Sequence, residues 1–93
     1  MKSVKVRRLD WDERNIAHIA KHSVSPEEVE EVFFDDTPHF RRHGKVFYAF
    51  GQTMSGRYLF VVFRFVTPNT VRVITARDMT EKERRYYRRV TRR

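Results

Sequence analysis

The sequence predicts an α+β fold: two N-terminal helices packed on one side of a curved, mainly antiparallel sheet of four to five strands, then a basic C-terminal helix. Three observations carry this expectation. Apolar residues recur at helical spacing up to Phe33, the period changes to alternation after Asp35-Asp36-Thr37-Pro38, and a further helix-start signal stands at Thr80. A chain of 93 residues has the length of a single domain, 1–93, built around one core.

Val4 and Val6 alternate with Lys5 and Arg7, the pattern of a short half-buried strand. Asp10 and Glu13 have capping-box spacing, which predicts a helix over about residues 11–22. On it Ile16, Ala17, Ile19 and Ala20 form an inward arc, with Arg14, His18, Lys21 and His22 on the other side. Ser25, Pro26 and Glu28 supply an N-cap, a proline at the first helical position and a reciprocal glutamate, so a second helix starts there and buries Val29, Val32 and Phe33. Four strands follow at about 39–42, 45–51, 57–66 and 70–76, joined by His43-Gly44, Met54-Ser55-Gly56 and Thr67-Pro68-Asn69. These connections are short enough for an antiparallel meander. Tyr58 to Phe63 is apolar on both faces and is expected to be central. Thr80 and Glu83 cap the last helix, to about residue 91, which offers Tyr86, Tyr87 and Val90 to the core. Its remaining surface holds two cationic stripes, Arg84-Arg88-Arg92 and Arg85-Arg89-Arg93.

Charge is distributed unevenly. The formal net charge is +8, yet residues 1–37 carry six Lys or Arg against nine Asp or Glu, and residues 38–93 carry fourteen against three. Fifteen of the twenty basic residues are Arg, whose planar fork matches phosphate oxygens, so the basic half is expected to hold a polyanion. The absence of cysteine excludes a disulfide scaffold and thiolate zinc sites. The longest apolar run is too short for a bilayer and the first residues are charged, so a cytoplasmic protein without membrane contact is expected.

His18 and His22 have the spacing of a helical metal pair, but Ile19 stands where a hydrolytic zinc motif needs glutamate, and no third ligand is evident. No glycine-rich phosphate loop or nucleophile elbow occurs. The chemistry left open is phosphodiester cleavage without metal or cofactor, in which the RNA 2′-hydroxyl attacks its own phosphate and the protein supplies proton transfer and cations. Suitable residues cluster at Lys21-His22, Arg41-Arg42-His43, Arg57 and Arg77.

The same segments carry a resemblance. Leu9 to Asn15, Lys21 to Ser25 with Glu27-Glu28-Val29, Val32 to Asp36, Gly51-Gln52-Thr53 with Gly56 to Val62, Val71 to Arg77, and Glu83 to Tyr87 resemble, in order and spacing, the BrnT toxins over about residues 9–87. Ser23 stands where that family usually has glycine, and the stretch from Asp36 to Phe47 is shorter than in the family. The resemblance implies a RelE-like fold and a ribonuclease toxin of a type II toxin–antitoxin pair, held by a BrnA-like antitoxin and meeting DNA only through it. For such a metal-independent endoribonuclease, His22 is the expected proton-transfer residue, with Arg57 and Arg77 on the scissile phosphate and Lys21 in support. Arg72, Arg42, His43, Arg84 and Arg88 are expected to bind RNA, and Tyr86 or Tyr87 to stack a base. The alternative is a non-catalytic basic module that binds nucleic acid or antitoxin.

Overall fold

The computed structural model describes residues 5–92. In chain order it contains β1 (Arg8–Asp10), α1 (Glu13–Ala20), α2 (Pro26–Phe34), β2 (His39–His43), β3 (Val46–Gln52), β4 (Tyr58–Phe65), β5 (Thr70–Asp78) and α3 (Glu81–Thr91). The sheet order is β1-β5-β4-β3-β2. Strands β2 to β5 form the expected antiparallel meander, and β1 adds a parallel edge with Leu9 opposite Val71.

The N-terminal elements differ from the sequence expectation. Val4 and Arg93 lie outside the described residues, and the first strand begins at Arg8, after the Arg7 and Arg8 amides have both donated to the Asn69 carbonyl. Because Asp10 is still paired within the sheet, the cap of α1 is Asp12: its carboxylate accepts from the amides of Arg14 and Asn15, and the Asn15 side chain accepts from the Asp12 amide. The box is therefore Asp12–Asn15, not Asp10–Glu13, and α1 is shorter than 11–22. Asn15 also donates to the carbonyls of Asp10 and Val73, which seats α1 on the sheet through Asn15 and Ile19 and leaves Ile16, Ala17 and Ala20 exposed. The polar Asn15 displaces the aliphatic arc because its amide satisfies strand carbonyls that an apolar side chain would leave unpaired.

The turn between α1 and α2 places Ser23 at φ 60°. That left-handed conformation costs a residue with a Cβ roughly 1–2 kcal/mol. Ser23→Gly is accordingly expected to stabilise the fold by about 1 kcal/mol, read as a higher urea midpoint at constant m-value. Helix α2 begins as predicted, with Ser25 and Glu28 exchanging amide hydrogen bonds, and it buries Val29, Val32 and Phe33.

β4 alternates between two apolar layers. Leu59, Val61 and Phe63 meet α1 and α2, whereas Tyr58 and Phe60 join Phe50, Met79 and Tyr87 in a smaller core beneath α3. The sheet is thus covered on both faces, with α3 opposite the first two helices. Thr80 and Glu83 cap α3 reciprocally, as the spacing predicts. One irregularity sets the phase of β5. Val62 faces Thr75 while Phe63 faces Val73, so Ile74 is an unpaired bulge residue. Val71, Val73 and Ala76 all enter the α1–α2 core as a result, and Thr75 and Arg77 face α3.

Candidate nucleic-acid interface

Between α3 and the sheet runs an open groove of about 730 Å³. Its floor comes from the period-2 alternation of β3 and β4, which turns Tyr48, Phe50, Phe60 and Val62 to this face. Its cations come from Arg41 of β2, Arg77 of β5 and Lys82, Arg85 and Arg89 of α3. The guanidinium groups of Arg41 and Arg89 lie over the Tyr86 ring, 5.5 and 5.6 Å from its centre. His43 prolongs the aromatic surface by stacking on Tyr48 at 5.2 Å.

Arg77 is held firmly at the groove wall. Its two terminal nitrogens bind the two oxygens of Glu83 at 2.8 and 3.0 Å, and the guanidinium lies 4.4 Å above the centre of Phe60. The Arg77 hydrogen bond holds the Glu83 carboxyl below its usual range, and Glu83 raises Arg77 in return. The pair is neutral overall. Among the described residues Arg41, Lys82, Arg85 and Arg89 have no carboxylate partner, so the groove retains an excess of positive charge over an aromatic floor.

Tyr86 lies in the same groove, and its hydroxyl meets Nε2 of His39 at 3.0 Å. Burial, with Arg41 adding to it, holds the His39 imidazole below its usual pKa, so it is neutral at neutral pH. His39 was not a sequence candidate. The only signal for it was its place in β2 two residues before Arg41, on the same face.

The other candidates are dispersed. Arg57 binds Asp78 through Nε at 2.6 Å, the Ser23 carbonyl and Glu28 through Nη1, and the His22 carbonyl through Nη2. Its pKa is raised, chiefly by Asp78. This guanidinium closes the α1–α2 turn onto the sheet, with Lys21 and His22 exposed beside it on that side of the molecule. Arg72 is tied to Asp10 at 3.4 Å and to the Asp12 carboxylate at 3.0 Å. Arg42 turns to the opposite face of β2 from Arg41 and lies over Phe47. Tyr87 is buried edge-on against Tyr58, and Arg84 covers that ring at 4.5 Å, with its Nε buried and unpaired. Arg88 stands on the outer side of α3 with Arg85, Arg89 and Arg92. Of the predicted residues, then, the fold brings Arg41, Arg77 and Tyr86 together in the groove, with His43 at its end, and leaves Lys21, His22, Arg57, Arg72, Arg42, Tyr87, Arg84 and Arg88 elsewhere. Sequence reasoning missed Tyr48, Phe60, Lys82, Arg85 and Arg89 as groove residues. The doubly apolar β4 and the aromatic alternation of β3 were the available signals.

No three His, Asp or Glu side chains converge in a metal-binding arrangement among the described residues. No helix among them is long and apolar enough to cross a membrane.

Fold and groove together define a small basic α+β protein with a cationic, aromatic-floored face. The family model of the ribonuclease toxin BrnT of type II toxin–antitoxin systems matches residues 11–83, and the chain belongs to that family. In the crystal structure of the Brucella abortus ribonuclease toxin BrnT the same fold recurs, with TM-score 0.62 and 22% sequence identity over 80% of this chain and 97% of that one. Comparison with functionally curated proteins finds no match.

Proposed function

We propose that the protein is a metal-independent endoribonuclease that cuts RNA in the groove beneath α3, inhibits translation by doing so, and is neutralised by a BrnA-like antitoxin. The observation that carries this reading is the groove itself: unpaired Arg41, Lys82, Arg85 and Arg89 above Tyr48, Phe50 and Phe60. Single-stranded RNA is held by this combination, phosphates on cations and splayed bases on aromatic faces. Cations at the groove also offset the charge that develops on the phosphorane oxygens. Arg77, fixed by Glu83, positions the wall, while the contacts of Arg57 support a structural role at the α1–α2 turn.

The test is cleavage of a single-stranded RNA in chelator by the wild type and by Arg85→Ala/Arg89→Ala. The wild type should cut. The double variant should bind more weakly, lose roughly 0.7 from the log–log salt slope for each phosphate contact removed, and cut at least about tenfold less efficiently. Cleavage that stops in chelator, or that is undiminished in the double variant, contradicts the proposal. A second reading, binding without cleavage, is favoured by the outer arginine face of α3, where Arg85, Arg88, Arg89 and Arg92 would receive an acidic antitoxin segment. Salt-sensitive binding with intact RNA would be its outcome.

A further inference from the structure

Tyr86 differs from the other groove aromatics. The Tyr48 ring is tilted against Phe60 at 4.9 Å and stacked on His43 at 5.2 Å, whereas the Tyr86 hydroxyl is joined to an imidazole nitrogen. That imidazole is itself held in place. His39 packs edge-on against Tyr86 with ring centres 5.5 Å apart and against Phe50 at 6.0 Å. Tyr86 also lies beneath two guanidinium groups, those of Arg41 and Arg89.

We infer that Tyr86 takes the proton from the attacking 2′-hydroxyl of RNA in the groove, with His39 behind it as the positioning residue that receives Tyr86's own proton. This deepens the endoribonuclease reading and rests on it. A phenol that keeps its own proton is a poor acceptor for a second one. Two features of the groove compensate. With the neutral imidazole in its Nδ1–H tautomer, Nε2 at hydrogen-bond distance accepts the phenolic proton as Oη gains the substrate's, and the two guanidinium groups favour electron density on the ring as that transfer occurs.

The step balances as follows. The 2′-O–H proton passes to Tyr86 Oη and the Tyr86 proton to His39 Nε2; the bond from O2′ to phosphorus forms; the bond from phosphorus to O5′ breaks with its electron pair on O5′. O5′ takes a proton from water, and the imidazolium returns its proton to the resulting hydroxide. The products are a 2′,3′-cyclic phosphate and a 5′-hydroxyl end. Because the relay needs neutral imidazole, the rate falls as pH drops through the His39 pKa. Burial and then Arg41 on its own strand hold this value down; the other titratable or charged groups about His39 are Asp36 from the turn before β2 and Tyr86, Tyr87, Arg89 and Arg92 from α3, while β3 packs Phe50 against it.

The experiment compares the full chain with Tyr86→Phe, which keeps the ring and its packing, and with His39→Gln. Turnover of a single-stranded RNA is read against pH, and binding of a fully 2′-O-methylated RNA of the same sequence serves as the probe of fold and groove. Tyr86→Phe should lower kcat about 100-fold or more, with KM and probe binding unchanged. His39→Gln should lower kcat and flatten the acid limb of the pH profile. Wild-type turnover in Tyr86→Phe, or an acid limb that survives His39→Gln, overturns the relay. If those variants cut normally while Arg85→Ala/Arg89→Ala loses probe binding, the groove reading stands and the relay falls. A wild type that neither binds the probe nor cuts RNA sinks both. Should His39→Gln fail to fold, the Tyr86→Phe rate decides alone.

Discussion

Phe63→Ala is expected to remove about 3–5 kcal/mol of folding stability. Phe63 is fully buried, and its ring meets four others: Phe33 at 5.1 Å, Phe47 at 5.6 Å, Phe40 at 5.8 Å and Phe65 at 5.9 Å. These rings come from α2, β3, β2 and β4, so the vacated space is walled by groups anchored in four separate elements. Stiff rings on such anchors collapse poorly into a cavity, which places the cost in the upper part of the range for aromatic truncation. For a domain whose total stability is about 5–15 kcal/mol, much of the margin is lost. Urea denaturation with a common m-value measures it; a loss under about 1 kcal/mol would show that the ring hub is not what joins α2 to the meander.

That cluster was largely legible in the sequence, because period-2 alternation and the doubly apolar Tyr58–Phe63 stretch place β4 at the centre of the sheet without any tertiary information. The caps at Ser25 and Thr80 were legible for a similar reason, since a capping box depends on residues three apart. The cap at Asp12 was not. It depends on Asp10 remaining in a strand paired across more than sixty residues, and local spacing alone favoured Asp10–Glu13. The candidate site was the least legible part. Residue type identified Arg77 and Tyr86, but the spatial grouping arises from β5 and α3 folding over β3 and β4. Arg57 and Arg77 carry the same side chain at comparable strand ends, and only their carboxylate partners separate a turn-closing cation from one on a groove wall.

Arg57→Ala is expected to cost about 2–3 kcal/mol, with RNA cleavage per folded molecule retained. The side chain makes charge-assisted hydrogen bonds to Asp78 and Glu28 and also satisfies the carbonyls of His22 and Ser23. Its loss leaves Glu28 without its cation and two turn carbonyls without their donor. Arg57→Lys should recover only part of the stability, since one ammonium cannot span two carboxylates and two carbonyls. Denaturation midpoints and cleavage rates corrected for the folded fraction separate the two quantities. A fall in corrected rate of 100-fold or more with unchanged stability would return Arg57 to the reaction centre.

The bulge at Ile74 has a consequence for how this chain tolerates change in length. A strand carries positional information modulo two, and the single extra residue shifts everything after it by half a period. Without that shift Arg77 would point into the α1–α2 core and Ala76 into the groove. The cationic wall of the groove is therefore specified as much by a count of residues as by their identities. In β5, loss or gain of one residue before Arg77 inverts the face it serves, whereas loss or gain of two preserves it.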